Sequence, residues 1–327
     1  MRQPERSSQA DNSPHRDERG AATGAYRIGV DLGGSKIEAA AIDPAGRVRA
    51  RRRIATPAGD YAGTIAAIAD LVAALERELG AQGSVGIGIP GTIVAKTGLV
   101  KNANSIWLNH RPFGRDIEAV LGRPVRFAND ADCFALSEAT DGAAAGCATV
   151  FGVILGTGVG GGIVIDGRLL SGANAIAGEW GHNPLPAPRS DELPGPPCYC
   201  GRSGCIETFL SGPGLAADHR RHAGGNLSGP QIAAGAAAGD ALCRATLERY
   251  VDRLARALAH VINLIDPHAI VLGGGLSSLP LLYHEVPARW GRYVFSDTVV
   301  TRLLPPRHGD ASGVRGAAWL WPPEPPG

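Results

Sequence analysis

The sequence carries almost no surplus charge: 32 Lys and Arg oppose 31 Asp and Glu across 327 residues, for a net charge of +1. That balance removes any global attraction to nucleic acid or to a membrane surface. Apolar runs are short, far below the roughly 20 residues that cross a bilayer, and the N-terminus has no hydrophobic signal core. The expected location is the cytoplasm, with neither nucleic acid nor membrane as partner. Residues 1–25 hold almost nothing apolar and mix both charge signs, the composition of a disordered arm. Glu5, Asp11, Asp17 and Glu18 argue against a transit peptide, because such peptides are poor in acids. Six cysteines in a cytosolic chain of this length do not make a disulfide framework. Of these, Cys133, Cys147 and Cys243 read as small buried hydrophobes. Also missing is any Gly-Lys-Ser/Thr sequence to close a P-loop.

With 44% hydrophobic residues, the chain can still bury a substantial core, most simply in two domains. "YRIGVDLGGSKIEAAAID" is a β-branched run, a glycine turn and an alternating run, which predicts a β-hairpin with Asp31 at the turn. "GRVRARRRIA" supplies a third strand, its arginines forming a solvated face. Ile65, Ile68, Val72, Leu75 and Leu79 share one helical face over Thr64–Leu79, and Gly80 stops the helix. "SVGIGIPG" and "VRFAND" read as strands, and "ADCFALSEA" as a helix, so Asn129 and Asp130 sit where a strand gives way to a helix. The pattern then recurs, since "TVFGVILGTGVGGGIVIDGRLL" is again strand, glycine turn, strand. A helix over Leu247–Ile265 ends at Asp266-Pro267, and the strand "HAIVLGGG" follows. The repeated unit predicts a duplicated α/β architecture with a cleft between its lobes.

The glycines suggest phosphate chemistry of a particular kind. In "LGTGVGGG" the chain leaves the glycines as the strand Ile163, Val164, Ile165, whereas a dinucleotide fingerprint would enter a helix. A glycine turn between strands still lets backbone N–H groups approach phosphate oxygens, since no Cβ obstructs them. "DLGGSK" adds a second such turn, with Asp31 able to hold Mg²⁺ directly or through water and with Ser35 and Lys36 beside it. "VLGGG" adds a third, suited to the nucleoside end of a phosphoryl donor. Transfer also needs a carboxylate to take the acceptor's proton, and Asp130 is the candidate. The competing reading of Asp130 is a helix N-cap.

"CYCGRSGC" places Cys198, Cys200 and Cys205 close enough to bind one Zn²⁺, with Gly201 and Gly204 allowing the tight turn. A tetrahedral site needs a fourth ligand. His182 is the nearest upstream imidazole, Cys147 and Cys243 are alternatives, and a redox pair of thiols is a further reading.

Taken together, "DLGGSK", "GIGIPG", "NDAD", "LGTGVGGG", "GEWGH", "CYCGRSGCIE" and "VLGGG" resemble, in order, the ROK family of sugar kinases and repressors. The resemblance runs from Tyr26 to about Pro322. "VKNANSIWLN", "AGEWGHNPLP" and "HGDASGVRGAAWLWP" look closest to its bacterial fructokinase (manno(fructo)kinase) branch. It implies an actin-like ATPase (ribonuclease H-like) fold with a small lobe over 26–134, joined by a C-terminal helix at about 313–322. The large lobe then covers 135–312 and includes a zinc-binding segment over 182–205. It further implies Asp130 as the base, with Asn104, Asn129, Glu179, His182 and Glu207 contacting sugar, and His182 as the fourth zinc ligand. Asp31, Gly33, Gly34, Ser35, Lys36, Gly156, Thr157, Gly158, Gly273 and Gly274 fall where the family holds Mg·ATP. Ser35 replaces the commoner Thr, and Asp132 stands where Asn is usual. The implied activity is ATP-dependent phosphorylation of fructose at its 6-hydroxyl by a homodimer, with mannose or glucose as further substrates. N-acetylglucosamine kinase is the alternative within the family. A repressor would need a helix-turn-helix of about 60 residues ahead of Tyr26, where the sequence has only the short polar arm.

Overall fold

The computed structural model describes residues 26–322. The expected N-terminal arm, residues 1–25, lies outside the described residues. The first hairpin forms as expected, with β1 (Arg27–Leu32) antiparallel to β2 (Lys36–Ile42), followed by β3 (Val48–Ala55). Helix α1 (Tyr61–Leu79) leads to β4 (Ser84–Ile89), which lies parallel to β1. A small ribbon of β5 (Thr92–Ile93) and β6 (Val100–Lys101) comes next, then α2 (Phe113–Leu121), β7 (Val125–Asn129) and α3 (Asp130–Thr140). The order of the first sheet is β3-β2-β1-β4-β7.

The second half repeats this plan. Strands β8 (Thr149–Leu155), β9 (Val159–Ile165) and β10 (Arg168–Leu169) form an antiparallel meander. Helices α4 (Ile206–Leu210), α5 (Gly212–Ala223), α6 (Gly229–Ala237) and α7 (Ala241–Ile265) precede β11 (Ala269–Gly273). Short α8 (Leu282–Glu285) and α9 (Pro287–Trp290) lead to β12 (Arg302–Leu304), and α10 (Ser312–Trp319) closes the described chain. The order β10-β9-β8-β11-β12, with β11 parallel to both neighbours, mirrors the first sheet. This is the duplicated arrangement of an actin-like ATPase. Among the described residues no helix is long and apolar enough to cross a membrane.

Two helices begin earlier than their apolar periodicity predicts. Asp60 accepts a 2.9 Å hydrogen bond from Gly63 N–H and starts α1 at Tyr61 rather than Thr64. Asp240 does the same for Cys243 N–H at 2.8 Å, starting α7 at Ala241 rather than Leu247. In each case a capping carboxylate, not the first buried residue, sets the boundary. The arginine face of β3 is also more than a solvated stripe. Arg51 and Arg53 both grip Glu38, which is buried on β2.

The two sheets meet through α3 and α10. Gly29 on β1 and Gly86 on β4 lie against the backbone of α10, and Gly316 of α10 lies against the Cys133 carbonyl of α3. A Cβ at any of the three would overlap a backbone oxygen. On the other side α3 rests on the second sheet, where a Cβ at Gly152 would come within 2.6 Å of the Ala135 Cβ. Glycine thus brings α3 into direct backbone contact with its neighbours, closer than any side chain would allow. Gly316→Ala is expected to destabilise the protein by about 1–3 kcal/mol through overpacking. Gly291→Ala, with nothing near its added methyl, should stay within about 0.5 kcal/mol. Thermal unfolding of both variants checks this, and equal melting points would contradict the glycine seat.

Candidate active site

Asp130 is the first residue of α3, but it does not cap that helix. The N-cap is Asn129, whose Oδ1 accepts from Asp132 N–H at 2.6 Å. The capping role is therefore met without Asp130, whose Oδ1 accepts from the adjacent Ala131 N–H at 2.9 Å. By residue surface Asp130 is exposed, yet enough protein surrounds its carboxyl to desolvate it. That low-dielectric surrounding pushes its carboxyl above the ordinary range, against the stabilising Ala131 N–H. Asn129 keeps its amide N–H₂ free for a ligand, as no hydrogen bond uses it among the described residues.

Other acids gather around this point. Burial, then the charge of Asp130, raises Asp31 to about 6. Burial, then Glu179 and Asp130, raises Asp132 to about 7, and the Asp132 Oδ1 is buried without a hydrogen-bond partner. Glu179 is raised by desolvation and by Asp130 and Glu207, with His182 opposing. These mutual effects bring Asp31, Asp130, Glu179, His182 and Glu207 into one electrostatic neighbourhood.

The three glycine turns frame it. At the first, Gly33 N–H donates to the Lys36 carbonyl at 3.0 Å and Thr56 Oγ1 donates to the Gly33 carbonyl at 2.8 Å, leaving Gly34, Ser35 and Lys36 exposed. The Asp31 carboxylate lies against Gly313 of α10, where a Cβ would be 2.9 Å from its Oδ2. In the second turn, Gly156 N–H donates to the Gly158 carbonyl at 3.0 Å and Thr157 is exposed. The third turn, Gly273 and Gly274, follows β11, which pairs with β8 so that Gly274 abuts Leu155 beside the second turn. Asn104 is exposed on a loop that Asn109 braces through two 2.9 Å bonds to the Ala103 backbone. That loop abuts Gly34, and Asn104 makes no hydrogen bond to Asp130 among the described residues.

The opposite wall is built on β9. Glu207 Oε2 accepts from Val159 N–H at 2.9 Å, and Trp180 Nε1–H donates to the Gly160 carbonyl at 2.9 Å. These bonds hold Glu207 and the 3₁₀ turn Trp180–His182 beside the second glycine turn. His182 continues into the thiol cluster. Its Nδ1 lies 3.6 Å from Cys198 Sγ, Cys200 and Cys205 sulfurs are 3.6 Å apart, and the four ligand atoms lie within 4.8 Å of one another. Four ligands at about 2.3 Å around one tetrahedral ion sit about 3.8 Å apart, whereas a disulfide would need about 2.05 Å. The donor set therefore fits Zn²⁺ and not a disulfide. Cys147 and Cys243 lie outside the cluster, one against Arg302 and the other capped into α7. Gly201 at φ +86° and Gly204 at φ +72° make the turns that wrap the thiols. Against burial, which acts upward, hydrogen bonds from Arg256 and Arg253 and the Arg189 N–H hold Glu192 at about 2, tying this loop to α7.

A cavity of about 1050 Å³ is lined by Asp132, Lys101, Arg126, Arg168 and Asn174, among others, and not by Asp130, His182 or Glu207. Of the clustered acids it touches Asp132, whereas Asp31, Asp130, Glu179, Glu207 and the three glycine turns do not line it. Sequence reasoning also passed over Thr56, which fixes the first turn, and Tyr199, whose hydroxyl is 2.9 Å from His182 Nε2. For Tyr199 a signal existed, namely its position between two ligand cysteines.

Residues 27–324 match the ROK family. An N-acetyl-D-glucosamine kinase of Photobacterium profundum is 41% identical over 296 residues, 89% of this chain and 98% of its own length. The crystal structure of a ROK hexokinase from Thermus thermophilus is similar with a TM-score of 0.80 at 31% identity, covering 90% of this chain and 96% of that one. A ROK family glucokinase from Streptomyces griseus, in complex with glucose and AMPPNP, follows at 0.72 and 30%, covering 90% and 98%. The sugar in the first of these names is not the fructose that the motif resemblance implied. Elemental analysis should find one zinc per chain in the purified protein and well under half of that in His182→Ala, which loses one of four ligands. Full zinc in the variant would assign the fourth ligand elsewhere.

Proposed function

The chain belongs to the ROK family, and we propose that it is an ATP-dependent sugar kinase that phosphorylates the 6-hydroxyl of N-acetylglucosamine. The observation that carries this reading is the carboxylate of Asp130, free of its helix cap and pushed up in pKa. A carboxyl raised above the ordinary carboxylate range accepts a proton more readily, which suits a base that takes the hydroxyl proton as the oxygen attacks the γ-phosphorus. The β–γ bridging oxygen of ATP leaves with the bond electrons, and ADP departs. Asn129, Glu179, His182 and Glu207 orient the sugar, with Asn104 across the cleft. Gly33, Gly34, Ser35, Lys36, Gly156, Thr157, Gly158, Gly273 and Gly274 offer backbone and hydroxyl donors to the nucleotide, and Asp31 is placed to hold Mg²⁺. Magnesium supplies charge neutralisation on the phosphates when bound.

His182, Cys198, Cys200 and Cys205 would hold a structural Zn²⁺, which would fix the His182 ring in place. The lobes are placed at 26–134 with the C-terminal helix and at 135–312, closing over sugar and nucleotide. A cytoplasmic homodimer is the assembly that the family resemblance supports.

The choice of sugar rests on the 41% identical relative. Fructose is the second reading, favoured by "VKNANSIWLN", "AGEWGHNPLP" and "HGDASGVRGAAWLWP". A coupled assay of ADP release over N-acetylglucosamine, fructose, mannose and glucose separates them. The highest kcat/KM is expected for N-acetylglucosamine, a highest value for fructose would select the second reading, and no sugar-dependent ADP release would overturn both.

A further inference from the structure

Tyr199 stands apart from its surroundings. The thiols on either side turn inward to the metal cluster, whereas Tyr199 is 80% exposed. A large aromatic ring left in water forgoes the stabilisation of burial. Among the described residues its hydroxyl makes a 2.9 Å hydrogen bond with His182 Nε2. Its ring meets the imidazole edge to face, with centroids 5.1 Å apart at 87°. The carboxylates of Glu207 and Glu179 act on the same hydroxyl. A hydroxyl supplied by the protein is therefore placed among three groups that would receive the hydroxyls of a sugar.

The imidazole decides what this means. With Nδ1 turned to Cys198 Sγ and committed to the metal cluster, the neutral ring carries its one proton on Nε2. That N–H has a single well-directed bond to give. The Tyr199 oxygen now receives it, and a sugar hydroxyl can receive it only by displacing the phenol.

We propose that Tyr199 is a specificity-determining residue whose hydroxyl competes internally with the sugar for His182 Nε2. The inference rests on the sugar-kinase reading and assigns Tyr199 a role in addition to it. Sugars that bind through His182 are weakened by the displacement, whereas a ligand that does not reach His182 is unaffected. Tyr199 lies on the loop that carries Cys198 and Cys200, so the metal cluster fixes both the imidazole and its competitor.

The test is Tyr199→Phe, which keeps the ring and removes the hydroxyl. Calorimetric titration without ATP, using whichever of the four sugars the wild type binds best, should show Kd lowered about two- to ten-fold, the range expected for losing one competing hydrogen bond. KM should fall by the same factor while kcat and zinc content stay unchanged, a split that a purely structural role would not produce. A Kd equal to or weaker than wild type would overturn the inference. A wild type that binds none of the four sugars would instead overturn the kinase reading on which it rests.

Discussion

The close seating of α3 is the constraint on which the rest depends. One side of this helix meets α10 through Gly316, and the other meets the second sheet through Gly152 and Gly162. Helix α10 in turn lies directly on β1 and β4 at Gly29 and Gly86. Backbone packed on backbone leaves little freedom to slide, because interiors at this density transmit displacement rather than absorb it. Asp130 heads α3, and its neighbour Asp31 is pressed against Gly313 of α10. The glycine contacts that join the two halves of the fold thus fix where its two central acids stand.

The site is rich in carboxylates, and their crowding has chemical use. Burial and mutual repulsion raise Asp31, Asp132 and Glu179, and burial raises Asp130. Raised carboxyls accept a proton more readily than ordinary ones, and acids gathered this closely attract a divalent cation. On the opposite wall, orientation comes from the thiol cluster. Cys198 faces one nitrogen of His182, leaving the other directed outward. The loop carrying this cluster is anchored by Glu192 to Arg253 and Arg256, both buried on α7. Charge pairs there hold a loop that has few apolar residues of its own to pack.

Much of this was legible in the sequence. The hairpins, the three glycine turns, the strand-to-helix step at Asp130 and the thiol spacing all appear as local patterns, and local patterns need no knowledge of partners. Residue spacing left the fourth metal ligand open among His182, Cys147 and Cys243, and family resemblance pointed to His182, the one that lies beside the thiols. What could not be read depends on distant neighbours. Gly29 and Gly86 look like ordinary strand glycines until α10, more than 200 residues later, is laid on them. The capping of α3 by Asn129 rather than Asp130 is a matter of side-chain direction that composition does not specify. Helices α1 and α7 start at capping acids upstream of their first apolar position. The identity of the sugar depends on a few contacts within a shared scaffold, and here motif resemblance and overall identity point to different sugars.

The most direct test is single-turnover phosphoryl transfer by Asp130→Asn, with sugar and ATP binding measured in the same preparation. If Asp130 is the base, binding of both ligands stays within about three-fold of wild type while the transfer rate falls by about 10²–10⁴-fold. Transfer at close to the wild-type rate would remove Asp130 from the chemistry and contradict the account.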